Sequence, residues 1–205
     1  MVGSVLNTTL RYTIALTTLA SLDCADGLSA LIKHCEQTLT PDDMVKFVDY
    51  SLRALVKLTP AIGAPKIVSA ASIIHDSVND TIKSRLSKDR FRPDNDNDYN
   101  AITERGKSFL NTLGGDKNSI VLAKAIEICP ELRCVVQTDV YGRFLSNEAI
   151  LPLKETELCV YASAVALEIL VLGVAHKRGA IAFGATLEEV EAAENLGKLA
   201  RTFIK

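Results

Sequence analysis

Apolar residues recur along this chain every three or four positions, which is the spacing of one face of an α-helix. One such set lies near the N-terminus: Leu6, Leu10, Ile14 and Leu22. A second set follows: Met44, Phe47, Val48, Leu52, Leu55 and Val56. Alanine, leucine and valine dominate the apolar residues, and aromatic residues make up only 5% of the chain. The pattern predicts an all-α fold in which helices pack through aliphatic side chains.

Two segments have the sequence of a helix start. Thr40–Asp43 has a capping threonine, a proline suited to the first helical position and two acids at the positive end of the helix dipole. Thr186–Glu189 also has a capping threonine followed by two acids, and Glu189 takes the capping-box position. We therefore expect helices to begin directly after Thr40 and after Thr186.

The recurrence of this cap suggests an internal duplication. The two capping threonines are 186 − 40 = 146 residues apart, and at that offset Leu6–Met44 aligns with Pro152–Val190 without a gap. Clusters of proline and glycine at Pro60–Pro65, Arg92–Pro93 and Gly114–Gly115 are expected to break the helices. The predicted organisation is a first, degenerate repeat at 1–80, a polar linker at 81–104 and a second repeat at 105–205.

Charge and hydropathy exclude some functions. The net charge is −2 and no polybasic run occurs, so we expect no nucleic-acid partner. The 18 residues Leu158–Ala175 carry a single charge, Glu168. A carboxylate near the middle of such a stretch is costly in lipid, so we expect a buried helix and no membrane association.

The cysteines and the termini bear on the compartment. Five cysteines, none in CxxC spacing, predict reduced thiols in an intracellular protein. The apolar N-terminal segment contains Arg11, which argues against a secretory signal. Phe203-Ile204-Lys205 does not match a peroxisomal SKL-type signal. The cytoplasm is the expected location, and the mitochondrion and the peroxisome stay open.

A family resemblance rests on the segment His176–Val190 (HKRGAIAFGATLEEV). It resembles the carboxymuconolactone decarboxylase superfamily, which includes the alkyl hydroperoxidase D-like proteins. There, a His-x-Arg-Gly-Ala helix is followed by Gly-Ala/Leu-Thr-x-Glu-Glu. Lys154–Leu158 resembles the Arg-Glu-Leu helix that precedes it, and Arg105-Gly106 and Tyr141-Gly142 resemble its lead-in segment. Leu58–Pro65 resembles the turn that closes the module.

The resemblance covers about three quarters of the chain and implies an alkyl hydroperoxidase D-like helical fold. It also implies a homo-oligomer, a trimer or a hexamer, with active sites near the subunit contacts. Thiol peroxidases of this family have a Cys-x-x-Cys pair seven and four residues before the histidine. Ile169 and Leu172 stand at those positions here, so peroxidase activity of that type is not expected.

The glutamate that the family places upstream of the histidine is retained. Glu157 lies 176 − 157 = 19 residues before His176, and both are flanked by apolar residues at helical spacing. A buried carboxylate must be paired or neutral, and the histidine is its natural partner if the two helices pack antiparallel. Such a pair can hold a proton near neutral pH, which suits acid–base catalysis.

Other candidate residues are less specific. Arg178 is either an anchor for a substrate carboxylate or a residue of a subunit contact, and Tyr161 and Tyr141 are either core aromatics or part of a pocket that holds a small ligand. At the 146-residue offset Ala30 and Arg11 replace His176 and Glu157, which argues that the first copy has no site. His34 and His75 lie off the motif, and we predict neither a metal site nor a cofactor.

Three hypotheses follow for the function. The first is a cofactor-independent enzyme in which Glu157 and His176 transfer protons to a small carboxylate or carbonyl substrate, by decarboxylation or isomerisation. The second is a non-catalytic oligomeric or binding protein that retains the pair as a structural relic. The third is a thiol-dependent antioxidant that uses other cysteines.

Overall fold

In the computed structural model, residues 5–91 and 98–204 are described, with the backbone alone for 115–119 and 121. The helices in this part of the chain are α1 (Thr8–Ser21), α2 (Ala25–Thr38), α3 (Pro41–Ile62), α4 (Ala64–Ser77), α5 (Asp80–Lys83), α6 (Tyr99–Ile128), a π-helix (Arg133–Leu145), α7 (Leu153–Ala166), α8 (Leu170–Ala182) and α9 (Leu187–Arg201). Within these ranges there is no β-strand. The predicted all-α class is confirmed.

Two helical hairpins, α1–α2 and α7–α8, form the centre of the fold. They pack against each other through α1 and α7, and α9 packs against both of these helices. The α3 helix lies along α1 and reaches α7, while α6 packs along the π-helix and reaches α8. A single core cluster includes Ile14 and Leu58 as well as Leu158 and Ala193, so the two predicted repeats share one core.

The turns that join the two hairpins have the same geometry. Asp23 and Glu168 both adopt φ 56°, and the next residues, Cys24 and Ile169, have φ/ψ values of −91°/81° and −88°/83°. Equivalent turn residues are therefore 168 − 23 = 145 positions apart. The gapless alignment at 146 therefore misses these turns by one residue, and the extra residue belongs to the second segment, between the α7–α8 turn and the cap of α9.

The turn at Glu168 also divides the long apolar stretch Leu158–Ala175. The α7 helix ends at Ala166 and α8 begins at Leu170, so the stretch consists of the end of α7, the turn and the beginning of α8. Among the described residues, no helix is both long enough and apolar enough to cross a membrane.

Both predicted helix starts are confirmed. The Thr40 side chain accepts a hydrogen bond from the Asp43 backbone N–H at the start of α3. At the start of α9, Thr186 accepts from the Glu189 N–H and the Glu189 carboxylate accepts from the Thr186 N–H, which completes the capping box.

Replacing Thr186 by alanine removes one half of this box, and we expect the free energy of unfolding to fall by about 1 kcal/mol. The measurement is urea unfolding followed by circular dichroism. Thr202→Ala is the matched control, because Thr202 is an exposed residue at the other end of α9 and its loss should cost less than about 0.5 kcal/mol. Equal effects of the two substitutions would contradict the role of the cap.

The predicted breaks have different outcomes. The α3 helix continues through Pro60 and ends at Ile62, directly before Gly63, so the break falls inside Pro60–Pro65. The break expected at Gly114–Gly115 is wrong, because α6 runs through both glycines to Ile128. Arg92–Pro93 lies outside the described residues. The segment 81–104, predicted as a linker, includes most of α5 and the beginning of α6.

Candidate acid–base site

Glu157 on α7 and His176 on α8 form a buried pair. His176 Nδ1 lies 2.8 Å from Glu157 Oε2, and the two side chains are 1% and 0% exposed. The hairpin turn between α7 and α8 makes the helices antiparallel, which brings residues 19 positions apart onto facing sides. The two atoms are within hydrogen-bonding distance, so the predicted contact across the two helices is present.

The sequence of α8 leaves room for the carboxylate. At Gly179, one turn beyond His176, a Cβ atom would overlap Glu157 Oε2 and Leu113 Cδ2. The glycine therefore allows α7, α8 and α6 to meet at the pair. This gives a physical reason for the glycine of the His-x-Arg-Gly-Ala pattern in this chain.

The electrostatic environment of Glu157 is unusual for a carboxylate. Burial raises its pKa above the ordinary range, and the nearby charges of His176 and Lys57 oppose that effect. Its second oxygen, Oε1, is buried and has no hydrogen-bond partner among the described residues. A buried carboxylate oxygen without a donor is costly, and such exceptions call for a functional or structural explanation.

Lys57 is a further buried ionisable group that the sequence did not reveal, and its charge affects the pKa of Glu157. It lies on α3, its side chain is fully buried, and its Nζ donates a 2.8 Å hydrogen bond to the Leu145 carbonyl at the end of the π-helix. Burial lowers the pKa of Lys57 to about 7, and the charge of Glu157 acts in the opposite direction. The burial of Lys57 could have been suspected from its position between Ala54 and Leu58, on the apolar side of α3.

Tyr141 lies on the π-helix, and Arg105 lies on α6, which packs along it. Tyr141 is half-buried, and its pKa is raised by burial and by the charge of Glu157. Arg105 donates to the Gly142 carbonyl at 2.8 Å and to Ser146 Oγ at 3.3 Å. A Cβ atom at Gly142 would overlap the Ile102 carbonyl, so this glycine lets the π-helix approach α6 closely.

The other two predicted binding residues are engaged elsewhere. Arg178 donates to the carbonyl oxygens of Leu113 and Gly114 at 3.3 and 2.9 Å, and so ties α8 to α6. The Tyr161 hydroxyl donates to Glu194 Oε2 at 2.6 Å, and Tyr161 lines a cavity of about 680 Å³ between the α7–α8 hairpin and α9. Of the predicted ligand-binding residues, Tyr141 is the one whose titration Glu157 affects.

All five cysteines, each in the described part of the chain, are free thiols. Burial raises the pKa of both Cys35 and Cys159 to about 12, which removes their thiolates at neutral pH. His34 is exposed and lies 3.2 Å from the Tyr12 hydroxyl, and His75 contacts the neighbouring Asp76. No cluster of three or more metal-binding side chains occurs among the described residues.

Comparison with known proteins shows a similarity to a yeast protein. The chain is 25% identical over 195 residues to "Peroxisomal protein 2" of Schizosaccharomyces pombe, an alignment that covers 95% of this chain and 86% of that protein. No family model matches the chain, and no solved structure matches it. The name of the relative gives a compartment and no reaction.

Proposed function

We propose that this chain is a divergent, two-copy member of the carboxymuconolactone decarboxylase superfamily, with an alkyl hydroperoxidase D-like fold. Its function is cofactor-independent acid–base catalysis on a small carboxylate or carbonyl substrate, by decarboxylation or isomerisation. The observation that carries the proposal is the 2.8 Å contact of Glu157 with His176 in a water-excluded position. It lies at the spacing that the family resemblance implies.

The duplication is supported by the backbone. The α1–α2 and α7–α8 hairpins share their turn geometry, and each is followed by a threonine-capped helix. At the 145-residue offset of the turns, Tyr12 and Leu31 take the positions of Glu157 and His176. These residues cannot replace a carboxylate–imidazole pair, so the proposed activity belongs to the second copy.

The pair has the properties of a proton donor and acceptor. With Nδ1 engaged by the carboxylate, Nε2 is the ring atom through which His176 would exchange a proton with a ligand. A carboxylate with a raised pKa accepts the imidazole proton more readily than an exposed one. Exclusion of water strengthens the electrostatic interaction of His176 with Glu157 and with a bound ligand.

A second candidate function is a non-catalytic assembly or binding protein. The observation that favours it is the near-complete burial of both side chains, since a substrate reaches them only if the covering helices move. A retained structural pair needs no such movement. The two candidates differ in one property. If the protein is an enzyme, a substitution of Glu157 or His176 that leaves the fold intact abolishes turnover, whereas a non-catalytic protein has no turnover to lose.

Self-association is part of the proposal, in a trimer or a hexamer. Its support is an apolar surface on α8, the helix that carries His176: Leu170, Val171 and Val174 are 81%, 77% and 63% exposed. Contiguous exposed apolar residues of this kind mark interaction sites. The contact would place the active site near a subunit boundary.

The compartment is proposed from the similarity to "Peroxisomal protein 2". We propose a peroxisomal location in place of the cytoplasm expected from the sequence. Co-localisation of the full-length protein with a peroxisomal marker supports this location, and uniform cytoplasmic signal contradicts it.

The activity is tested with small β-keto and unsaturated lactone carboxylates, by measuring carbon dioxide release and isomerisation. We expect Glu157→Gln and His176→Gln each to lower kcat by about 100-fold or more, because acid–base groups contribute at least that factor. His75→Gln is the control, since the His75 side chain is 72% exposed and should not affect turnover. Activity of either site variant at the wild-type level, or no activity of the wild type, contradicts the enzyme.

A further inference from the structure

A cavity of about 620 Å³ lies between the α1–α2 hairpin and α9, and neither Glu157 nor His176 lines it. Most of its lining is apolar and comes from these three helices and the segment that follows α9, with Leu19, Ala30, Leu31, Leu196, Leu199 and Phe203 among the residues. Leu199 and Phe203 are more than half exposed, although both are large and apolar. A cavity of this size and lining is typical of a small-molecule site.

The cavity follows the axis of α1. Its wall on this helix runs from Arg11 to Leu19, which are eight residues and therefore about 12 Å apart along the axis. The α2 helix returns along the cavity from Asp26, near the hairpin turn, to Leu31. With carbon–carbon bonds of about 1.5 Å, an extended chain of about ten carbons has this length.

The charges of the lining distinguish the two ends of the cavity. Of the described residues that line it, Arg11 and Asp26 are the charged ones, and Arg11 lies far from the hairpin turn while Asp26 lies next to it. Asp26 is exposed in the first turn of α2, where the helix dipole stabilises a carboxylate. Charge complementarity therefore orients an amphipathic ligand with an anionic group at Arg11 and its apolar end near the turn.

Aromatic packing positions Arg11 at its end of the cavity. The guanidinium carbon lies 5.1 Å from the centroid of the Tyr12 ring. That ring packs edge-on against His34 and Phe47 at centroid distances of 5.8 and 6.0 Å, and the Tyr12 hydroxyl lies 3.2 Å from His34 Nε2. A guanidinium can stack on a ring and bind a planar carboxylate through two of its five N–H donors. A carboxylate is therefore the anion that best suits this end.

We propose that this cavity binds a straight-chain carboxylic acid of about eight to ten carbons, with the carboxylate on Arg11 and the chain directed along α1 towards the hairpin turn. The site goes beyond the proposed acid–base function, because it shares no residue with the Glu157–His176 pair. It gives the α1–α2 hairpin, which lacks such a pair, a role in ligand binding.

The experiment is isothermal titration calorimetry of the full-length protein at pH 7 with decanoate below its micelle concentration, and in parallel with decanol and decylamine. We expect saturable binding of one decanoate per chain, about tenfold tighter than that of decanol, because a hydrogen bond to a charged group contributes that factor. Equal affinities for decanoate and decanol, tighter binding of decylamine, or no saturable binding of decanoate overturns the proposal.

Arg11→Gln tests the anionic end of the site. This variant should bind decanoate about tenfold more weakly and decanol as the wild type does. Lys33→Gln is the matched control, because Lys33 is an exposed cation on α2 that does not line the cavity, and it should bind both compounds as the wild type does. Undiminished decanoate binding by Arg11→Gln overturns the proposal.

Ala30→Phe tests the location of the ligand independently of Arg11. Ala30 is exposed and lines the cavity, so a larger side chain there occupies the space of the ligand without overpacking the core. We expect affinities for decanoate and decanol that are both lower by about tenfold or more. Ser29→Phe, at the neighbouring exposed position outside the cavity, should bind both normally.

Undiminished decanoate binding by Ala30→Phe would place the ligand elsewhere and overturn the proposal. A second copy of the chain is the other possible occupant of the cavity. In that case Ala30→Phe forms a smaller oligomer in size-exclusion chromatography and the wild type does not bind decanoate, which likewise overturns the proposal.

Discussion

Replacing Gly179 by alanine is expected to lower the free energy of unfolding by about 3 kcal/mol, a large loss for one added methyl group. The added Cβ atom would overlap Glu157 Oε2 and Leu113 Cδ2, so α8 must move away from α7 and α6. Overpacking of this kind costs about 1–3 kcal/mol, and separation of a buried ionisable pair adds to it. Urea unfolding at pH 7 measures the effect.

Gly173→Ala is the matched control on the same helix. Its Cβ would meet nothing closer than Ala164 Cβ at 3.9 Å, which is ordinary van der Waals contact. Alanine has the higher helix propensity, so this variant should be unchanged or more stable by up to about 1 kcal/mol. If Gly179→Ala is as stable as Gly173→Ala, the close packing around Glu157 is not present in solution.

Lys57→Met is expected to change the pH dependence of stability. The pKa of Lys57 is lowered by burial from 10.5 to about 7, so between these values the unfolded state binds more protons and wild-type stability rises with pH. The full penalty, present below pH 7, is up to about 5 kcal/mol. Methionine removes this penalty but also removes the bond to the Leu145 carbonyl. We therefore expect a gain of about 2 kcal/mol at pH 7.

The informative quantity is the difference between the variant and the wild type across the pH range. From pH 7 to pH 9 the wild type should gain about 2 kcal/mol relative to Lys57→Met, so the advantage of the variant disappears. Lys46→Met, at an exposed position, should run parallel to the wild type over this range. A parallel course for Lys57→Met would mean that Lys57 titrates as an exposed lysine does and is not buried in solution.

The Glu157–His176 contact could be expected from the sequence because the family resemblance implies a glutamate 19 residues before the histidine, on a helix that packs antiparallel to the next. Two helices joined by a short turn become antiparallel, and the residues 19 apart then face each other across the hairpin. The caps at Thr40 and Thr186 are local in the same sense, since each side chain bonds a backbone N–H three residues away. Contacts between residues that are close in the sequence can therefore be predicted from the sequence.

Lys57 could not be assigned in the same way. It lies 157 − 57 = 100 residues before Glu157, and its burial is decided by how α3 packs against the π-helix and α7. An amphipathic pattern does not distinguish a lysine that leaves the core from one that stays in it. The uninterrupted course of α6 through Gly114–Gly115 has the same origin, because packing against the π-helix and α8 overrides the low helix propensity of glycine.

Nuclear magnetic resonance of the ¹⁵N-labelled imidazole rings tests most directly whether Glu157 and His176 share a proton in a site closed to water. At pH 7 we expect a far-downfield proton signal on the His176 ring that exchanges slowly with water, disappears in His176→Gln and shifts in Glu157→Gln. His75, whose side chain is 72% exposed, supplies the reference for fast exchange. A His176 ring proton that exchanges as fast as those of His75 would contradict a water-excluded proton shared by the pair.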